Sequence, residues 1–310
     1  MSEKIETTED ALVKIKINQS FISYHLQDKN MRWTAIFVHG FNSSSDFAKP
    51  VFGLKTNYNI ISVNLPGSRY LDHDEAELGI DFYVKLLEIF IKNNVKSRKI
   101  VLVGHSLGGG IVAALSKLSK VKRVVYVAAI NPHMIYARNW TALYDLFFGQ
   151  GIHKSLKNML VKAGAKIYKS LVDKNAVVKE ICDQQGRFVP IIKNYLLNTE
   201  YMSEILKDQY RQSLRKKPLF IIGDQDRIVE TSRFVNFVEQ ELGQKVVVLP
   251  RTKHNPFLTQ SNAINDILNQ IMPAKKRFFR RTLIKVHPWQ LVQSIAVKNS
   301  KNVQKPDPGD

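Results

Sequence analysis

The feature that most constrains this chain is Gly104-His105-Ser106-Leu107-Gly108, entered from the apolar run Ile100-Val101-Leu102-Val103. Gly109 to Leu115 follows as a helical stretch. A strand that turns into a helix through G-x-S-x-G holds its serine in a strained conformation and lifts the hydroxyl clear of the sheet. The flanks of such a turn have little room for a side chain, which gives Gly104 and Gly108 a steric reason to be glycine. In this context Ser106 reads as a nucleophile. The alternative is a tight βα turn whose serine only caps the helix.

A serine nucleophile needs a histidine to take its proton and a carboxylate to hold that histidine's tautomer. Downstream, Pro218-Leu219-Phe220-Ile221-Ile222-Gly223 has the pattern of a buried strand and runs into Asp224-Gln225-Asp226. A carboxylate just past a strand's C-terminal end sits where open α/β sheets carry their sites. Two aspartates compete there. Asp226 is favoured as the acid because the residues after Gly223 let it turn toward the serine. Asp224 suits a turn held by bonds from its carboxylate to backbone N–H groups. Lys245 to Leu249 reads as a further strand, and the loop after it carries His254. Alone, His254 would read as a solvent-exposed loop histidine; behind Ser106 and Asp226 it reads as the base.

The developing negative charge on a tetrahedral intermediate needs backbone N–H donors. Leu107, directly after the serine, offers one. The strand Trp33 to Val38 ends in His39-Gly40-Phe41, and Phe41 offers the second. Gly40 lets the backbone approach closely. His39 reads as a hydrogen-bonded structural histidine beneath this loop.

Taken together, His39-Gly40-Phe41, Gly104 to Gly109, Gly223 to Asp226 and His254-Asn255-Pro256-Phe257 resemble the α/β-hydrolase superfamily, in particular its lipase/esterase-like members with a helical cap. The resemblance covers about residues 10–272. It implies an α/β-hydrolase fold, a mostly parallel eight-stranded sheet with flanking helices. It also implies Ser106, Asp226 and His254 as catalytic residues, Phe41 and Leu107 as the oxyanion hole, and no metal or organic cofactor. Two positions depart from the pattern. Asn64 stands where many relatives have aspartate, which touches loop structure more than chemistry. Thr252 stands where a glycine often precedes the histidine. Serine at the elbow argues against epoxide hydrolases and haloalkane dehalogenases, which use aspartate. Thioesterase, C–C hydrolase and peptidase chemistry share this machinery, and a non-catalytic binding module could share the fold. A peptidase acting at an N-terminus would need a cap carboxylate, with Glu180, Asp183 and Glu200 available.

The expected organisation is a core of residues 1–131 and 218–272, a helical cap over 132–217, and a basic extension over 273–310. In the cap, Ile152, Leu156, Met159, Leu160, Ala163, Ile167 and Leu171 share one apolar face. An aromatic cluster from Met134 to Phe148 is expected to contribute to the pocket. No apolar run reaches the ~18 residues of a membrane span. The N-terminus lacks a signal-peptide pattern, and the single Cys182 excludes an internal disulfide. A cytoplasmic enzyme acting on a small-molecule ester or lipid is therefore expected.

The net charge is +19, and the extension contributes +7 of it, nine Lys and Arg against two Asp. Lys275-Lys276-Arg277-Phe278-Phe279-Arg280-Arg281 precedes an amphipathic stretch with Trp289, Leu291, Val292 and Ile295. Such a segment suits an anionic membrane surface through residues 274–310 or, less well, nucleic acid. The other reading is a tail that folds back on the body, or a disordered, solvated end.

Overall fold

The structure is a computed structural model and describes residues 11–72, 77–137, 140, 190–276 and 282–296. Its centre is a sheet built from β1 (Ala11–Ile17), β2 (Ser20–Gln27), β3 (Thr34–Val38), β4 (Asn59–Asn64), β5 (Ile100–His105), β6 (Val121–Val127), β7 (Leu219–Gly223), β8 (Val246–Leu249) and β9 (Leu291–Ala296). The order across the sheet is β8-β7-β6-β5-β3-β4-β2-β1-β9. β3 to β8 run parallel, while β2, β1 and β9 add antiparallel at one side. The eight strands expected from the sequence all form, and the basic extension supplies the ninth.

The central strands are buried on both faces, as their continuous apolar runs require. Successive residues serve opposite faces. Ile36, Val38 and Leu102 pack in one core cluster, and Ala35, Phe37, Val101 and Val103 in the other. The first cluster holds buried residues of α2 (Ile80–Ile89) and α3 (Leu107–Leu115). The second is closed by Ile264 and Leu268 of α6 (Ser261–Ile271) and by Phe257 of the short α5 (Pro256–Thr259). The short α1 (Lys49–Phe52) adds Val51 to it.

Most of the expected cap lies outside the described residues, including its amphipathic face over 152–171, the aromatic cluster after Ala137 apart from Trp140, and Glu180, Cys182 and Asp183. The part that returns to the body belongs to the core. Met202, Leu206 and Tyr210 are fully buried, the last two on α4 (Leu206–Ser213). The Tyr210 hydroxyl donates to the Ile130 carbonyl at 2.6 Å.

The described extension straps the body. Arg32 N–H donates to the Lys275 carbonyl at 2.7 Å, and Lys96 N–H to the Leu283 carbonyl at 2.9 Å. Leu283 and Ile284 enter the first core cluster. β9 then pairs with β1, so the stretch from Trp289 to Ile295 continues into an edge strand. Covering β1 this way satisfies a row of backbone groups that an open edge would expose.

Parallel strands gather their first residues at one end of the sheet. Exposed Arg32 precedes β3, Lys55 precedes β4, Arg98 precedes β5, Lys122 lies at the start of β6, Lys217 precedes β7 and Lys245 precedes β8. No carboxylate lies in the four residues before any of these strands, and Asp28 and Glu241 come just earlier. Part of this charge has a local cause, because the flanking helices end here with unpaired carbonyls. Lys120 Nζ donates to the carbonyls of Ile91, Lys92 and Val95 at 2.9, 2.9 and 2.7 Å. Lys216 Nζ donates to those of Leu118 and Val121 at 3.3 and 2.9 Å.

Candidate active site

The opposite end, at the C-terminal ends of β3, β5, β7 and β8, brings the expected residues together. Ser106 stands between β5 and α3 with φ 53° and ψ −120°. Positive φ is strained for a residue with a side chain, and three backbone bonds hold it there. Ser106 N–H donates to the Val127 carbonyl at 3.1 Å; its own carbonyl accepts from Gly109 and Ile130 at 2.9 and 3.0 Å. Gly108 is glycine because a Cβ there would lie 2.3 Å from the Val38 carbonyl oxygen. β3 and the elbow thus approach to backbone contact. Leu107 opens α3, so its N–H belongs to the helix's electropositive N-terminus.

Gly40 lies directly against the serine. A Cβ there would sit 2.8 Å from the Ser106 Cβ and 3.3 Å from its Oγ. His39 holds this loop from below. Its Nε2 accepts from Leu65 N–H at 3.2 Å, which puts the proton on Nδ1, and Nδ1 donates to the Gly40 carbonyl at 2.8 Å. Burial lowers the His39 pKa to about 4, so it stays neutral, as a structural histidine should.

Asp226 and His254 meet across the loops after β7 and β8. His254 Nδ1 is 2.9 Å from Asp226 Oδ2, and the Asp226 side chain is fully buried. Burial raises its pKa, but the adjacent His254, the hydrogen bond between them and two backbone N–H groups outweigh this and hold it below the usual carboxylate range. Those N–H groups are Ile228 and Val229, donating to Oδ1 at 2.8 and 3.2 Å. Both oxygens are therefore committed, one to the histidine and one to its own turn. Asp224 does not reach the histidine. Its Oδ1 accepts from Thr252 N–H at 2.9 Å, tying the acid's loop to the histidine's loop. This is the turn-holding role its sequence position suggested.

Two contributors were not anticipated. His105 stacks on Phe47, its ring centroid 5.0 Å from that of His254. Its Nε2 donates to the His254 carbonyl at 2.8 Å. Burial first, then the nearby His254, lowers the His105 pKa to about 3. The residue inside the elbow motif thus braces the loop that carries His254.

Asp46 is the second. Its Oδ2 accepts from the Tyr70 hydroxyl at 2.5 Å, and its Oδ1 lies 2.8 Å from Lys49 Nζ and 3.6 Å from His25 Nε2. It clips the loop after β3 to the loop after β4. No motif marks it; the signal is a carboxylate in a loop whose partners include β2 and the loop after β4. Asn64 supports the same loop. Its Oδ1 accepts from Ser45 N–H at 2.6 Å and its Nδ2 donates to Ser23 Oγ at 3.0 Å. The departure from aspartate is thus absorbed in loop structure.

A shallow pocket opens beside Gly40 and Leu107, walled by Phe41, Leu65, Tyr83 and Ile191, with Asn42, Ser43 and Ser68 as polar lining. Among the described residues no cluster of histidine, cysteine and carboxylate side chains could hold a metal ion. No helix there is long and apolar enough to cross a membrane.

This fold and site define a class, and comparison with known proteins agrees. A sequence model of the alpha/beta hydrolase family matches residues 35–267, and the chain belongs to that family. It is 24% identical over 255 residues to "Putative esterase/lipase 2" of Mycoplasma pneumoniae, covering 79% of this chain and 91% of that one. It is 31% identical over 216 residues to the "Uncharacterized hydrolase YugF" of Bacillus subtilis, covering 64% and 74%. Among solved structures, a membrane phospholipase A described as a bacterial virulence factor superposes with a TM-score of 0.67 at 16% identity, covering 85% of this chain and 86% of that one. That last likeness concerns the fold alone.

Proposed function

We propose that this protein hydrolyses carboxylic esters through an acyl-enzyme, with Ser106 as nucleophile, His254 as general base and acid, and Asp226 orienting His254. The observation that carries the reading is one constellation. Ser106 is held at positive φ against Gly40, and His254 is hydrogen-bonded through Nδ1 to a buried, ionised carboxylate. The Nδ1 bond leaves Nε2 as the basic nitrogen. His254 takes the Ser106 proton as Oγ attacks the ester carbonyl. The Phe41 and Leu107 N–H groups stabilise the oxyanion, the larger part of catalysis in such sites. Collapse of the intermediate transfers the proton to the leaving alcohol. Water, deprotonated by the same histidine, then releases the acid and restores the serine. The name of the mycoplasma relative supports ester substrates.

The test is hydrolysis of p-nitrophenyl esters from acetate to palmitate, with wild type beside Ser106→Ala. Activity that vanishes in the variant, with fluorophosphonate labelling lost in parallel, supports the reading. Labelling of Ser106 without hydrolysis of any ester would move the substrate to thioesters, peptides or C–C bonds. Absence of both would leave a binding module.

A further inference from the structure

We propose that the end of the sheet opposite Ser106 docks on an anionic lipid bilayer. Exposed Arg32, Arg98, Lys122, Lys217 and Lys245 come from five strands, and none pairs with a carboxylate among the described residues. Neighbouring strands lie about 4.8 Å apart, so these five adjacent strands spread the charge over about 19 Å. The helix ends already have their own cations in Lys120 and Lys216, and Lys122 Nζ donates to the Ser119 carbonyl at 2.7 Å, but no helix-end carbonyl among the described residues accounts for Arg32, Arg98, Lys217 and Lys245.

The extension borders the same end. Gln290 Oε1 accepts from Asn94 Nδ2 at 3.1 Å, which sets Trp289 beside the 94–98 connection. Trp289 is 69% exposed. Lysine and arginine with an exposed indole are what an anionic lipid–water interface attracts. A nucleic acid strand asks for a basic groove with free aromatic faces to stack on. Here the cations are spread broadly, and His287 stacks on the Trp289 ring at 5.8 Å.

Docking this way points the Ser106 end toward water. Resting on the esterase reading, the consequence is that membrane-bound enzyme meets esters dissolved in the aqueous phase, not those embedded beneath it.

The full chain is sedimented with vesicles of phosphatidylcholine alone or mixed with phosphatidylglycerol. Binding is expected only to the anionic vesicles, and is expected to fall steeply at ~0.5 M salt. Arg98→Glu/Lys122→Glu/Lys217→Glu is expected to lose binding by at least about tenfold. Lys16→Glu/Lys85→Glu/Lys193→Glu, the same charge change on exposed lysines elsewhere, should keep it closer to wild type. Thermal melting checks that both variants fold. Equal loss in both, or equal binding to neutral vesicles, would overturn the proposal. So would duplex DNA at matched phosphate concentration stripping the protein from vesicles, which would assign the face to nucleic acid. None of these readouts involves Ser106, so they stand or fall apart from ester hydrolysis. Hydrolysis of a water-soluble ester should run at the free rate on vesicles; inhibition there would overturn the orientation.

Discussion

Replacing Gly40 by alanine would set a Cβ 2.8 Å from the Ser106 Cβ and 3.2 Å from the His105 carbonyl oxygen. Carbon atoms in contact sit about 3.5–4.0 Å apart, so roughly 1 Å of separation must be found. Rotating the serine cannot supply it, because the clash is with its Cβ. Its backbone is fixed by bonds to Val127, Gly109 and Ile130, and the Gly40 carbonyl is held by His39. One loop must move away from the other. Overpacking of this kind costs about 1–3 kcal/mol of stability, and displacement near 1 Å at a reacting centre costs on the order of 10² in rate. Gly40→Ala is therefore expected to unfold in urea at slightly lower concentration and to lose about 100-fold in kcat and in fluorophosphonate labelling. Gly53→Ala is the control. No atom lies within 4 Å of its Cβ and its φ of −73° suits any residue, so activity should not change. A folded Gly40→Ala that labels Ser106 within about threefold of wild type would refute the claim that this contact sets the nucleophile's position.

Asp226→Asn keeps an acceptor for Ile228 and Val229 but can turn an amide NH2 toward His254 Nδ1, and kcat on a p-nitrophenyl ester should fall about 10³–10⁴-fold. The Asp226 pKa is depressed in the folded state, so its stabilisation is present above the unfolded value of about 4 and is lost as pH falls through the lowered folded value. Acid unfolding should accordingly show wild type and variant converging only below about pH 4; a constant gap down to pH 2 would contradict this. Leu283→Ala should cost about 2–4 kcal/mol in urea unfolding without changing kcat, because the side chain is 1% exposed in the core and far from Ser106 along the sheet. Asp46→Asn should raise KM more than it lowers kcat, since it loosens two pocket-bordering loops without touching the reacting atoms; an unchanged KM would show that the clip is idle.

What could be read from the sequence was local. The strand Ile100–His105 and its turn declare themselves through consecutive apolar residues and obligatory glycines, and the order Ser106, Asp226, His254 follows from chain direction. Asp226 could be preferred over Asp224 by its distance from the strand end, and the bonds to Thr252 and to His254 fall accordingly. His105 and Asp46 were not legible in this way. Their hydrogen bonds to His254 and Tyr70 span 149 and 24 residues, and a hydrogen bond that distant leaves no periodicity in the chain. The extension was ambiguous for a related reason. A short segment with alternating apolar residues suits a membrane surface or an edge strand equally, and only the vacant side of β1 decides.

The charge distribution makes the same point at larger scale. A net charge of +19 reads along the chain as scattered lysines, each followed some residues later by a strand. Parallel topology turns that repeated local placement into one basic face, since every strand from β3 to β8 starts at the same end. It also sets the opposite end aside for the serine, its histidine and their acid, because the connections that carry them leave the other tips of the same strands. Strands of four to seven residues keep the two ends about 13–23 Å apart, beyond the ~10 Å screening length at 0.1 M salt. The basic face can therefore hold the molecule against an anionic surface while leaving the electrostatic field at the Ser106 end nearly untouched. If vesicle binding shifted the pH profile of ester hydrolysis, the two ends would have to be coupled through the sheet itself.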